Sequence, residues 1–173
     1  MQDYAFFALD PSDNLVNSFQ TNEAINHLKV TANKNIKYGK FNLDLTATYQ
    51  NVSGEEGVIN VPEVVTRGSF YFTDRLFKKA LFLQTGFTAN YFTKYNLNAY
   101  DPILAQFYVQ NTEEFGEFPL FDFFLNMKVR QTRIFVKAEH FNSGLTGNDF
   151  YSAPGNPYRD FNVRFGIVWN FFL

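Results

Sequence analysis

The chain has 173 residues, enough for one domain with a sizeable core, and its 15 Lys and Arg against 17 Asp and Glu give a net charge of -2. With no cysteine it has no disulfide, thiolate metal site or cysteine nucleophile, and no basic block suggests nucleic acid as a partner. Aromatic residues make up 20% of the chain, 23 of them Phe, more than an ordinary globular core needs.

The opening MQDYAFFALD is acidic with a short apolar patch. It is neither a secretory signal nor a transmembrane helix, which takes roughly 18 apolar residues, so a secreted chain would have to be mature or truncated here. The mean hydropathy of -0.24 suits a soluble protein, but also transmembrane strands, whose polar residues dilute the apolar ones. Asp3 to Leu9 and Leu15 to Gln20 are two short strand candidates. HLKVTANKNIKY then sets Leu28, Val30, Ala32 and Ile36 against Lys29, Thr31 and Asn33. In KFNLDLTATYQ, Phe41, Leu43, Leu45, Ala47 and Tyr49 share one side, with Asn42, Asp44 and Thr46 on the other. VTRGSFYFTD puts Phe70 and Phe72 against Arg67 and Ser69. LFLQTGFTANYF sets Leu81, Leu83, Phe87, Ala89 and Tyr91 against Gln84, Gly86, Thr88 and Asn90.

In LFDFFLNMKVR, Phe121, Phe123, Leu125, Met127 and Val129 oppose Asp122, Asn126 and Lys128. TRIFVKAEHF sets Ile134, Val136 and Ala138 against Lys137 and Glu139. The closing RDFNVRFGIVWNFFL places Phe161, Val163, Phe165, Ile167, Trp169, Phe171 and Leu173 on one face and Asn162, Arg164, Gly166, Val168 and Asn170 on the other. This is the period of a strand, not of a helix. Most runs are about 10 residues, the length a tilted strand needs to cross a bilayer, where soluble strands average about 5 or 6.

Connection lengths alternate. DPSDN, YGK, DRLFKK and RQTR are short, whereas VSGEEGVINVPE, Thr93 to Phe118 and NSGLTGNDFYSAPGNPY are long. Outer-membrane barrels have short periplasmic turns and long extracellular loops. A periplasmic C-terminus puts every long connection outside, provided Phe107 to Asn111 belongs to the loop above the membrane. In lipid every backbone polar group needs a partner, so such strands work only as a closed barrel.

INHLKV, KALFLQTGFTANYFTKYN, RQTRIFVKAEHFN and YSAPGNPYRDFNVRFGIVWNF together resemble the C-terminal half of the putative porin family of Bacteroidota outer membranes. The resemblance is most specific over Tyr151 to Trp169, where aromatic-x-Ala-Pro-x-x-Pro-Tyr-Arg-Asp-Phe leads into the last strand. It implies a porin-like barrel, and family members longer than this chain. The C-terminal aromatic pattern also looks like the signal read by outer-membrane insertion machinery, ending in Leu173 where Phe is commoner.

The expectation is therefore an all-β transmembrane antiparallel barrel of about 8–10 strands over residues 1–173, one domain, truncated at its N-terminus. Nine candidate strands conflict with the even numbers of bacterial barrels. Either missing N-terminal strands complete a larger barrel, or one weak segment is no strand and eight close around a side-chain-filled interior.

Lys29, Asp44, Arg67, Gln84, Asp122, Asn126, Lys128, Lys137, Glu139 and Arg164 are the expected lumen residues, lining a pore or filling a plug by cross-strand pairing. Leu43, Leu45, Leu83, Phe87, Phe123, Leu125, Val136, Phe165, Ile167 and Trp169 are the expected lipid-facing set. Tyr91, Phe92, Tyr95, Phe41, Tyr49, Trp169 and Phe171 sit near strand ends, as interfacial rings do. Pro154, Gly155, Pro157 and Tyr158 either turn an ordinary loop or fold inward against a solute.

His27 and His140 are too few for a histidine metal cluster, and Glu139 beside His140 is expected on the opposite strand face. Ser69 and Ser143 lack any nucleophile motif, so no catalytic residue, metal or cofactor is assigned. The expected role is passive diffusion of small hydrophilic solutes across an outer membrane, with lipid, insertion machinery and solutes as partners. A plugged docking subunit and a barrel enzyme are the alternatives.

Overall fold

The computed structural model describes residues 3–55, 57–145 and 150–171. Among them no helix occurs, and the strands follow the period-2 pattern of β-branched and aromatic residues. The first two are β1 (Ala5–Leu9) and β2 (Val16–Gln20), followed by four long strands, β3 (Asn26–Tyr38), β4 (Phe41–Ser53), β5 (Val64–Leu76) and β6 (Leu81–Phe92). Four short strands come next: β7 (Tyr95–Asn96), β8 (Ala99–Asp101), β9 (Gln106–Tyr108) and β10 (Glu114–Phe115). The chain then forms β11 (Leu120–Val129), β12 (Thr132–Glu139), the short β13 (Tyr151–Ala153) and β14 (Asn156–Pro157), and finally β15 (Asn162–Trp169).

Seven of these make one antiparallel sheet in the order β3, β4, β5, β6, β11, β12, β15. The sheet is open, and because seven antiparallel strands end on the same direction they began with, its two edges β3 and β15 run parallel to each other. Tight turns join the strands at one end. Tyr38 pairs with Phe41 across Gly39 and Lys40, with Gly39 at φ +60°, a value a two-residue hairpin demands and glycine adopts freely. Val129 pairs with Thr132 across Arg130 and Gln131, and Leu76 with Leu81 across residues 77–80.

The long connections lie at the other end, as the alternation of lengths predicts, and two of them fold into small hairpins: β7 with β10 and β8 with β9 between β6 and β11, and β13 with β14 between β12 and β15. The stretch around Phe107 is part of this loop layer, pairing as β9 with β8. The hairpin of β1 and β2 joins the same layer, where the Val109 N–H donates to the Phe7 carbonyl at 2.7 Å. These two segments are strands, but they pair with each other and not with the sheet. Five residues span only ~17 Å, too short to run beside strands of 13 residues along their length. The expected eight to ten sheet strands are therefore seven. The last one also stops earlier than expected, at Trp169, and Leu173 lies outside the described residues.

The buried core belongs to the loop layer. Ile25, Val58, Ala99, Phe118, Phe150 and Ala153 are buried there, with the Phe118 ring 5.1 Å from Phe92 and 4.7 Å from Phe150. Thr21 is held by the Tyr4 backbone, and the Gln110 amide donates to the Leu97 and Glu113 carbonyls at 2.6 and 2.8 Å. The sheet has no such core: among its described residues only Gly86, Thr88 and Glu139 are buried. One of its faces carries a continuous apolar row, Ile36, Leu43, Phe70, Phe87, Phe123, Ala138 and Val163, across all seven strands. Phe70, Phe87, Phe165 and Ile167 on this face are 51%, 52%, 79% and 66% exposed. Such residues would be buried in a water-soluble sandwich.

Candidate functional site: the charged face of the sheet

The register places all ten expected lumen residues on the face opposite that apolar row. Asp44, Ser69, Thr88 and Asp122 form one cross-strand row. Tyr71, Gly86, Phe124, Lys137 and Arg164 form the next. Thr73, Gln84, Asn126, Phe135 and Gly166 follow toward the tight turns. Arg67 lies between Thr46 and Asn90, and Lys29 opposite Gln50. The ten expected lipid-facing residues all share the apolar face by the same registers.

Hydrogen bonds tie the polar face across its strands. Asn35 donates to Asp44 at 2.6 Å, the Ser69 and Thr88 hydroxyls meet at 2.9 Å, and Asn126 donates to Gln84 at 3.2 Å. The strongest charges gather where β11, β12 and β15 approach the long loops. Lys137 Nζ stands 3.0 Å from Asp122 and 2.8 Å from Glu139, and Glu139 also pairs with Arg164 and, at 3.8 Å, with Arg159. Three cations on one shielded carboxylate hold its position more firmly than an exposed pair would.

His140 departs from expectation. β12 ends at Glu139, and His140 takes φ +51°, so the face alternation lapses. Its N–H donates to Asp122 at 2.9 Å, and its ring lies against Phe150 and Tyr158 with Nδ1 2.7 Å from the Arg159 carbonyl. Glu139 and His140 therefore line one pocket of about 140 Å³, not opposite faces. Tyr158 lines it too, while Pro154 and Gly155 turn the exposed β13–β14 hairpin. His27 is exposed on β3, and the Ser143 hydroxyl accepts the Phe161 N–H at 3.2 Å.

Parity counting left several rings of this face unassigned. Tyr71 stands opposite Gly86, where an added Cβ would strike the Phe70 carbonyl and the Cα and Cβ of Tyr71, whereas at Gly166 it would strike the Phe135 ring. Glycine lets an aromatic ring from the neighbouring strand lie flat on the sheet. Arg75 and Arg133 were also missed. β5 continues to Leu76, into the DRLFKK stretch that the sequence reads as a connection, and two-step counting from Arg67 or Lys137 reaches both.

The apolar side of β6 is long enough to cross a bilayer core. From Leu81 to Tyr91 the strand advances ~34 Å, which rises ~26 Å at the ~40° tilt of membrane strands, against an apolar band of ≈ 25 Å. Phe41 and Trp169 close this band at the tight-turn end, Trp169 stacking on Phe171 at 5.3 Å. A family described as "Putative porin" matches residues 1–173. The chain belongs to this putative porin family. Comparison with curated proteins and with solved structures finds no match. Membership of the porin family implies a porin-like, non-enzymatic role at the outer membrane.

Proposed function

We propose that this sheet is an arc of an outer-membrane barrel that lets small hydrophilic solutes diffuse along its charged face. The observation that carries the reading is the pair of unlike faces: an uncovered apolar one of bilayer height, and a hydrogen-bonded charged one, with no core behind either. Lipid is the medium that favours the first and water the medium that favours the second. The tight turns then face the periplasm and the loop layer the exterior.

The open edges sharpen the reading. Each unpaired strand edge in lipid costs several kcal/mol per backbone group, so β3 and β15 need partners. Closing β3 onto β15 directly would create a parallel seam. An odd number of further strands, from the same protein or another copy, restores antiparallel pairing throughout. A wider ring also leaves an interior that side chains cannot fill.

Tyr71 and Phe124, with ring centroids 6.2 Å apart, and the Asp122–Lys137–Glu139 bridges favour a second reading, a plugged docking subunit. Single-channel recording in planar bilayers separates the two. Steady conductance is expected, whereas silence from the folded, full-length protein refutes the pore.

A further inference from the structure

The charges of the polar face are balanced at one end and unbalanced at the other. Near the long loops Lys137, Arg159 and Arg164 all meet Glu139. Near the tight turns one row reads Arg75, Phe82, Lys128, Arg133 across four neighbouring strands. Lys128 and Arg133 are direct cross-strand partners, a pairing of like charges that destabilises a sheet unless something neutralises it. The adjoining turns add Lys79 and Arg130, both held in the left-handed region at φ +73° and +52°. Tight hairpin turns take that conformation, and Phe77 and Lys78 beside Lys79 share it.

Arg75, Lys79, Lys128 and Arg130 line one depression of about 370 Å³ with Ala80 and Phe82, and no acid borders it. Arg133 borders the adjoining depression, which shares Phe82 and Lys128 with the first. None of the five cations has an ion pair among the described residues. The nearby Asp74 belongs to the opposite face by alternation and is engaged by Lys40 at 2.6 Å.

We infer that the tight-turn end of the polar face is a binding site for soluble phosphate-bearing anions, held by Arg75, Lys128 and Arg133 with Lys79 and Arg130 closing it from the turns. Five cations without an acid call for a multiply charged ligand, since one negative charge would leave most of the repulsion in place. Guanidinium groups supply paired N–H donors matched to phosphate oxygens, and the ammonium groups add point charge. Water reaches the site along the polar face, and to that extent the inference rests on the proposed lumen.

The test is ³¹P NMR of inorganic phosphate added to the folded, full-length protein in phosphatidylcholine vesicles at constant ionic strength. Saturable line broadening is expected. Lys128→Gln with Arg133→Gln should weaken binding by about ten- to hundredfold, the loss typical of hydrogen bonds to charged groups. Lys79→Gly with Arg130→Gly relieves the left-handed strain, so that variant keeps its fold while also losing affinity. Unchanged binding in both variants, or no saturable binding by the folded protein, overturns the site. Added phosphatidylglycerol should leave phosphate binding unaltered, and displacement of phosphate by it would make the occupant a lipid headgroup and overturn the soluble ligand. A protein that binds phosphate but never conducts defeats the pore alone, and one that conducts without binding phosphate defeats the site alone.

Discussion

Phe87→Arg places a charge in the middle of the apolar face. Phe87 stands six residues from Leu81 and four from Tyr91 on β6, so it lies ~16 Å above one rim of the band and ~10 Å below the other at ~40° tilt. An arginine at that depth costs about 2–4 kcal/mol on a lipid-facing surface. The substitution also removes ring pairs with Phe123 at 5.3 Å and Phe141 at 6.1 Å, each worth about 0.5–1.5 kcal/mol. The expected loss is about 3–7 kcal/mol. Ser69→Arg is the matched control, because Ser69 pairs with Thr88 one residue from Phe87 but on the polar face, opposite Asp44 and beside a space of about 340 Å³. It should cost about 1 kcal/mol, the Ser69–Thr88 hydrogen bond. Urea titration of protein folded into vesicles, followed by the fluorescence of the single Trp169, measures both. Equal stability of Phe87→Arg and the parent, or a larger loss for Ser69→Arg, would show that the apolar face does not meet lipid.

The same substitution at Leu28, two residues into β3 at the loop end, should cost only about 0–1 kcal/mol, since the penalty fades toward the interface; an equal loss at both positions, by the same titration, would remove the depth gradient. Gly86→Ala should destabilise by about 1–3 kcal/mol because the new methyl meets backbone, and Gly166→Ala by less because the Phe135 ring can rotate away; thermal unfolding of the two variants gives the order. Glu139→Gln leaves Arg159 and Arg164 without their carboxylate, and with both cations more than half exposed the cost should be about 1–2 kcal/mol, read as faster protease cleavage of the loop layer. Asn142→Ala strips the Phe121 N–H of its acceptor at 2.9 Å and the Pro119 carbonyl of a donor at 2.7 Å, so about 1–3 kcal/mol and accelerated amide exchange at Phe121 are expected.

Alternation along the chain was enough to sort residues into two faces, because successive side chains of a strand must point oppositely whatever surrounds them. Leu43, Phe87 and Phe165 on one side and Asp44, Asp122 and Arg164 on the other follow from that rule, while the tight turns at one end and the long loops at the other follow from the alternating lengths of the connections. Alternation says nothing about which strands pair, and here tertiary structure decided. β1 and β2 alternate like the rest, yet they pair with each other and dock on the loop layer through the distant contact of Phe7 with Val109, which alternation does not reveal. His140 left its strand through one positive φ and came to share a pocket with Glu139. Lys128 stands opposite Arg133 because a two-residue turn sets the register of β11 on β12, so that unpaired cation row emerged only when the sheet was assembled.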